Sequence, residues 1–254
     1  MRMASGEKRR DALLSDCYDV SAMHAPLQPP IPLETLMLAY RNGIFPMSDG
    51  RKAEEVFWVE PRERGILPLD NFRCSRSLKK MIRTSPISVT CNQDFDAVIE
   101  ACAAPRPGHP ESWINQPIID SYRALHRLGY AHSLECWDGE ELVGGLYGVG
   151  FESVFCGESM FNSRPNISKL ALAWLVAIMR HAGYRLLDCQ FITDHLASLG
   201  AQAISQAEYL QQLYLATKQP APSLPNAFDA LIEAAATQEV SPAKFIAQSF
   251  THTS

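Results

Sequence analysis

The spacing of apolar residues changes character along the chain. Leu33, Leu36, Met37 and Tyr40 fall at i, i+3, i+4 and i+7, which predicts a helix over 33–42 that starts behind Pro32 and stops at Gly43. Gly43-Ile44-Phe45-Pro46-Met47 reads as a loop, and the short apolar runs 57–59 and 65–69 read as strands bounded by Pro61 and Pro68. Ser75 is placed to cap a helix ending at Arg83. From Ile87 onward strand and helix patterns alternate. Strand 87–92 and helices 95–103 and 118–128 are followed by strands 131–137 and 141–147, joined by an Asp138-Gly139 turn. Strand 153–157, helix 169–182, strand 184–190, a helix around 195–199 and helix 207–215 complete the series.

The two ends lack this regularity. Residues 1–32 mix charge, small residues and Pro26, Pro29, Pro30 and Pro32 with no sustained period, and read as a flexible leader. Residues 217–254 are rich in Ala, Gln, Pro and Ser, with one weak helical pattern over 228–236, and read as a mobile or weakly helical tail. Between them lie a small N-terminal domain, 33–70, and a larger domain of mixed α/β (α+β) pattern, 71–216.

Composition narrows the class. With 254 residues, 46% hydrophobic and 20% charged, the chain falls in the ordinary globular range. No apolar run approaches the ~20 residues that cross a bilayer. Arg9 and Arg10 are followed by Asp11, Asp16 and Asp19 where a signal peptide carries apolar residues, so neither export nor membrane insertion is expected. Cys17, Cys74, Cys91, Cys102, Cys136, Cys156 and Cys189 are odd in number and contain no C-x-x-C pair, the pattern of reduced thiols in a cytoplasm. His109, His126, His132 and His195 show no H-x-x-x-H spacing, and no metal site is expected. The formal charge of -5 argues against a broad nucleic-acid-coating surface but leaves room for a local basic patch. One exists between Arg62 and Arg83, where seven basic residues face two acidic ones, and Arg76, Lys79, Lys80 and Arg83 share one face of the predicted helix. That face reads as a solvated helix surface or as a tracker of phosphates.

Candidate chemistry sits near the predicted strand ends. Asp188 and Gln190 are two apart in a strand, so both project from one face while Cys189 points to the other. An acid beside an amide can orient an amine, or can simply satisfy buried backbone groups. Glu158 follows an apolar strand and Gly157, where a carboxylate reaches a cleft mouth or plain surface. Leu172, Leu175 and Met179 recur at helical spacing, and with Leu146 and Phe155 they read as ordinary core.

Ordered blocks along residues 33–210 carry a resemblance. They include Ala39-Tyr40-Arg41-Asn42-Gly43-Ile44-Phe45-Pro46-Met47, Phe57-Trp58-Val59-Glu60-Pro61, Ser75-Arg76-Ser77-Leu78, Trp113-Ile114, Gly157-Glu158-Ser159-Met160-Phe161 and Leu187-Asp188-Cys189-Gln190. Together they resemble the leucyl/phenylalanyl-tRNA-protein transferases. The resemblance implies a small N-terminal domain followed by an acetyltransferase-like (GNAT-like) domain, with a mixed sheet flanked by helices. It implies transfer of Leu or Phe, with Met possible, from aminoacyl-tRNA (Leu-tRNA, Phe-tRNA) to proteins with N-terminal Arg or Lys, tagging them for N-degron degradation. No cofactor, no metal and a monomer acting in the cytoplasm are the matching expectations.

The resemblance also assigns roles. Asp188 and Gln190 become catalytic, Gln190 as acceptor toward the attacking amine and Asp188 polarising it, with Glu158 contacting the acceptor N-terminus. Part of the set Leu146, Phe155, Leu172, Leu175 and Met179 lines the pocket for the donor side chain, and Tyr40 and Trp113 are candidates to stack on the terminal adenosine or, equally, to pack between domains. Arg76, Lys79, Lys80 and Arg83 become tRNA contacts. The chain departs from the family pattern at Met47, where Trp is common, at Asn162-Ser163, where Ser-Arg is common, and at Ser205-Gln206, where Pro-Arg is common. A coenzyme-A-dependent N-acetyltransferase suits the same order of elements, but no Q/R-x-x-G-x-G/A loop is present to cradle pyrophosphate. A non-catalytic tRNA-binding adaptor is the reading from outside enzymology, and the joint presence of Glu158, Asp188 and Gln190 argues against it.

Overall fold

A computed structural model describes residues 30–105 and 111–250. Its strands are β1 Phe45–Met47, β2 Phe57–Val59, β3 Glu63–Ile66, β4 Ser88–Cys91, β5 Ala131–Asp138, β6 Glu141–Phe151, β7 Val154–Asn162, β8 Leu186–Gln190 and β9 Gln202–Ser205. Its helices are α1 Leu33–Arg41, α2 Arg76–Thr84, α3 Phe95–Ala103, α4 Gln116–Arg127, α5 Ile167–His181, α6 Asp194–Ser198, α7 Gln206–Ala216, α8 Leu224–Thr237 and α9 Pro242–Ser249. Strands β1 and β2 form a separate antiparallel ribbon, and the other seven form one mixed sheet in the order β4-β5-β6-β7-β8-β3-β9. Only β7 and β8 run parallel among the described pairs, because α5 carries the chain across one face between them.

Helix α5 explains how the layers stack. Twelve of its fifteen residues are buried, so it needs cover on the side away from the sheet as well as on the side facing it. Leu146, Phe155 and Leu187 cover the sheet side, and α8 and α9 cover the other, with Trp174 stacked on Phe228 and Phe72 against Phe250. The tail expected to be mobile or weakly helical therefore forms two docked helices. Leu224, Leu231, Ile246 and Phe250 are buried in this first core. The expected leader lies almost wholly outside the described residues, as do His109 and Cys17.

A second core lies on the opposite face, where α1, α3, α4 and α7 pack Leu36, Val98, Tyr122 and Tyr209 against Tyr147, Val149 and Cys156. Two local expectations are corrected here. Phe45 to Met47, read as loop, is a strand paired with Phe57 to Val59. The strand expected over 65–69 forms instead at Glu63–Ile66, because Pro68 has no N–H to continue a ladder. Strand β3 lies between β8 and β9, so the stretch 33–70 contributes a strand to the main sheet.

Candidate active site

Strands β7 and β8 meet in register at Cys156 and Asp188, and beyond that point β7 supplies the Glu158 carboxyl, and β8 the Asp188 carboxyl and the Gln190 amide, to the face of the second core. On β8, Asp188 and Gln190 share this face, whereas Leu187 and Cys189 pack into the first core. On β7 the ladder to β6 slips: Tyr147 faces Ser159 and Gly148 faces Gly157, so Glu158 is the extra residue of a bulge. A bulge re-aims its side chain, and here it directs Glu158 toward α1 and α4. Strand β8 ends as sharply. Gln190 adopts φ +63°, and Asp188 Oδ1 accepts a hydrogen bond from its backbone N–H at 2.8 Å. Gly65 on β3 makes room for this turn, since a Cβ there would lie 2.8 Å from the carbonyl carbon of Phe191.

Asp188 is completely buried and its partner is Arg64, 1% exposed. Arg64 Nε donates to Oδ1 at 2.9 Å and Nη2 to Oδ2 at 2.6 Å, a fork that also gives Nη1 to the Gly43 carbonyl at 2.8 Å. The Tyr209 hydroxyl donates to Oδ2 at 2.9 Å. The guanidinium lies between the rings of Phe45 and Tyr209, 4.6 and 4.5 Å from their centroids. Burial works against the Arg64 charge, but Asp188 outweighs it and holds the guanidinium firmly protonated. Every lone-pair direction of Asp188 is thereby occupied: each oxygen accepts two bonds.

Glu158 sits beside this pair with a different electrostatic character. Tyr40 donates to Oε1 at 2.7 Å, Gln190 Nε2 donates to the same oxygen at 2.9 Å, and Tyr122 donates to Oε2 at 3.0 Å. The Tyr40 and Tyr122 hydroxyls also hydrogen-bond each other. Burial pushes the Glu158 carboxyl up to about 7 against the pull of these three donors. Burial, with the nearby Glu158 charge next in weight, keeps Tyr40, Tyr122 and Tyr147 well above the ordinary phenol range.

The structure thus brings together Glu158, Asp188, Gln190 and Tyr40 of the expected residues. Tyr40 is 1% exposed, which corrects its expected stacking on adenosine: its ring is core and its hydroxyl serves Glu158. Trp113 is half-buried at the edge of the second core, and its carbonyl accepts from Ser48 Oγ at 2.8 Å. Leu146, Phe155, Leu172, Leu175 and Met179 are all buried together in the first core, across the sheet from the carboxylates. The half-buried Met160 and Cys189 border that core on the two strands that carry Glu158 and Gln190.

Ser75 caps α2 as expected, and Arg76, Lys80 and Arg83 are exposed along it. Lys79 is turned aside, donating to the Phe250 carbonyl at 2.6 Å. Among the described residues no group of three or more His, Cys, Asp or Glu side chains is arranged to hold a metal ion.

Arg64, Phe45, Tyr122 and Tyr209 also build the site, although none is among the expected site residues. Arg64 belongs to the basic run between Arg62 and Arg83, yet the chain buries it. The available signal was its place at the head of Arg64-Gly65-Ile66-Leu67, a charge entering an apolar strand.

Comparison with known proteins bears on this constellation. The family profile described as leucyl/phenylalanyl-tRNA protein transferase matches residues 66–214, and that of the family's N-terminal domain matches residues 31–62. Over 183 residues the chain is 62% identical to the leucyl/phenylalanyl-tRNA–protein transferase of Novosphingobium aromaticivorans, covering 72% of this chain and 70% of that one. The protein of the same name from Zymomonas mobilis is 58% identical over 178 residues, covering 70% and 66%. That from Rhizorhabdus wittichii is 55% identical over 183 residues, covering 72% and 74%.

Proposed function

The chain belongs to the leucyl/phenylalanyl-tRNA–protein transferase family, and from that premise we propose how its site joins leucine or phenylalanine from aminoacyl-tRNA to the N-terminus of a protein. The chain is an aminoacyltransferase. The bond formed is a peptide bond. A neutral α-amine attacks the ester carbonyl of the charged tRNA, and the ribose oxygen leaves with a proton.

The orientation of Gln190 carries the reading. Its Nε2 is committed to Glu158, which leaves Oε1 as an acceptor able to align the incoming amine for attack. Asp188 works through backbone and charge. Saturated by Arg64, Tyr209 and the Gln190 N–H, it fixes the turn that presents Gln190 and does not itself meet the amine. This replaces the expected role of Asp188 as the group that polarises the amine.

The donor side chain enters the first core beside Met160 and Cys189, with some of Leu146, Phe155, Leu172, Leu175 and Met179 as its walls. Trp113, half-exposed, remains the candidate platform for the terminal adenosine, and Arg76, Lys80 and Arg83 track the acceptor-stem phosphates. Acceptors begin with Arg or Lys, whose positive charge suits the Glu158 carboxyl beside Gln190. The product then carries the destabilising residue of an N-degron. Among the described residues no helix is long and apolar enough to cross a membrane. A monomer working in the cytoplasm completes the proposal. The test is incubation with labelled Leu-tRNA or Phe-tRNA and peptides beginning with Arg, Lys or Ala. Label should pass to the first two peptides, and transfer to none of them refutes the reading.

A further inference from the structure

Counting protons around Glu158 leads past the positioning role of Gln190. Three hydrogen-bond edges close a triangle: Tyr40 to Glu158 Oε1, Tyr122 to Glu158 Oε2, and Tyr40 to Tyr122. Each edge needs one proton between its oxygens. Two tyrosines and an ionised carboxylate carry two protons for the three edges, whereas two tyrosines and a carboxylic acid carry three. In the acid form the protons can circulate either way, with the carboxyl O–H given to one tyrosine, that tyrosine's O–H to the other, and the second tyrosine's O–H to the free carboxyl oxygen. One added proton therefore completes the ring instead of stranding a donor.

We propose that Glu158, Tyr40 and Tyr122 form a proton-exchanging ring that takes the proton shed by the attacking nitrogen and returns it to the departing ribose oxygen. The inference rests on the transferase reading. When the neutral amine attacks, the C–N bond forms and the nitrogen becomes a cation. It passes one proton to the ionised ring, which then holds three. The ester C–O bond breaks, the ring gives its third proton to the ribose oxygen, and the ring is ionised again. No other reagent is consumed. Glu158, a residue 8% exposed and hydrogen-bonded to Gln190, is the member assigned to meet the reacting atoms, while Tyr40 and Tyr122 are positioning residues.

The surroundings suit a group that exchanges a proton near neutrality. From β8, Asp188 is the nearest negative charge, and Arg64 on β3 neutralises it. From β6, Tyr147 contributes a neutral phenol. Cys156 on β7, whose thiol is held well above its ordinary value first by burial and then by Asp188, is likewise neutral, as is Tyr209 on α7. Gln190, by contrast, is a weak base on its own.

The ring is tested by the pH dependence of single-turnover transfer at saturating donor and acceptor, from roughly pH 5.5 to 8.5. In the wild type, both the acceptor amine and Glu158 must be deprotonated, so log rate should approach a slope of two at the acid end. In Glu158→Gln the slope should fall to one, the acceptor's own. Tyr40→Phe and Tyr122→Phe should each keep the slope of two and move the acid limb to higher pH, since each removes a donor that favours the charged carboxylate. A carbon-13 titration of the Glu158 carboxyl in the free proteins needs no turnover, and it should show the same upward displacement. A wild-type slope of one, or a Glu158 titration unmoved in both Phe variants, overturns the ring. Absence of transfer at every pH refutes the transferase reading instead, and the titration then still decides the ring.

Discussion

Arg64 and Asp188, 124 residues apart in the chain, meet as a two-point ion pair from which water is excluded. The pair gives the second core a charged centre without net charge. Removing either member leaves the other buried and uncompensated, at a cost of about 3–5 kcal/mol. Arg64→Ala and Asp188→Ala should each lower the urea midpoint accordingly, and the double variant should lose much less than the sum. Additive losses would mean that the two residues act independently.

Gln190→Ala should separate chemistry from binding. The side chain is placed to act on the amine, so turnover should fall by about 10²- to 10⁴-fold. Affinity for Phe-tRNA, measured by filter binding, should stay within about threefold, small beside that range. A collapse of affinity would move Gln190 to the donor site.

Two buried groups make stability depend on pH in opposite directions. The Glu158 carboxyl, raised to about 7, binds its proton more tightly in the folded chain than its ordinary value of 4.5 allows. It therefore draws stability away as pH climbs from about 4.5 to 7, on the order of 3 kcal/mol in total. His132 is lowered to about 4, chiefly by burial, from an ordinary 6.5. Folding thus loses stability as pH falls from about 6.5 to 4, by a similar amount. The two slopes oppose each other between pH 4.5 and 6.5, so Glu158→Gln should uncover a rise in stability with pH there, read from urea melts. A flat profile in that variant would count against the His132 contribution.

Lys79 and its neighbours on α2 should part company. Arg76→Ala, Lys80→Ala and Arg83→Ala together should weaken tRNA binding and flatten its dependence on log salt by about 0.7–0.9 per lost phosphate contact. Lys79→Ala should leave that slope unchanged and loosen α9, seen as faster proteolysis near Phe250.

The Tyr147 hydroxyl is buried and has no hydrogen-bond partner among the described residues. Tyr147→Phe should therefore be neutral or stabilising, by up to about 1–3 kcal/mol, the typical cost of an unmet buried polar group. A clear loss of stability would show that the hydroxyl has a partner.

What the sequence disclosed follows from the range of the interactions involved. The shared face of Asp188 and Gln190, the Ser75 cap and the stop at Gly43 are local, and local spacing displays them. Tyr40 is legible as well: it lies one turn after Leu36 on a buried stripe, and of its two readings, stacking on adenosine or packing, the burial of its ring agrees with packing. Arg64 was not, because a guanidinium reads alike whether it faces water or a partner on a distant strand. Strand β9 escaped because its pattern is mostly exposed and its pairing with β3 is a matter of backbone. Helix α9 did carry a start signal, Ser241 capping with Pro242 behind it, in a segment whose composition suggested disorder.

The place of β3 in the sheet sets an order of events during synthesis. Arg64 emerges from the ribosome early, yet both strands that flank β3 and the carboxylate that answers its charge lie more than a hundred residues downstream. Until β8 and β9 exist, the guanidinium has the Gly43 carbonyl and the Phe45 ring within its own segment but no counter-charge, and β3 has neither flanking strand to pair with. The N-terminal segment must therefore wait, and the candidate site closes only as one of the last long-range contacts of the nascent chain.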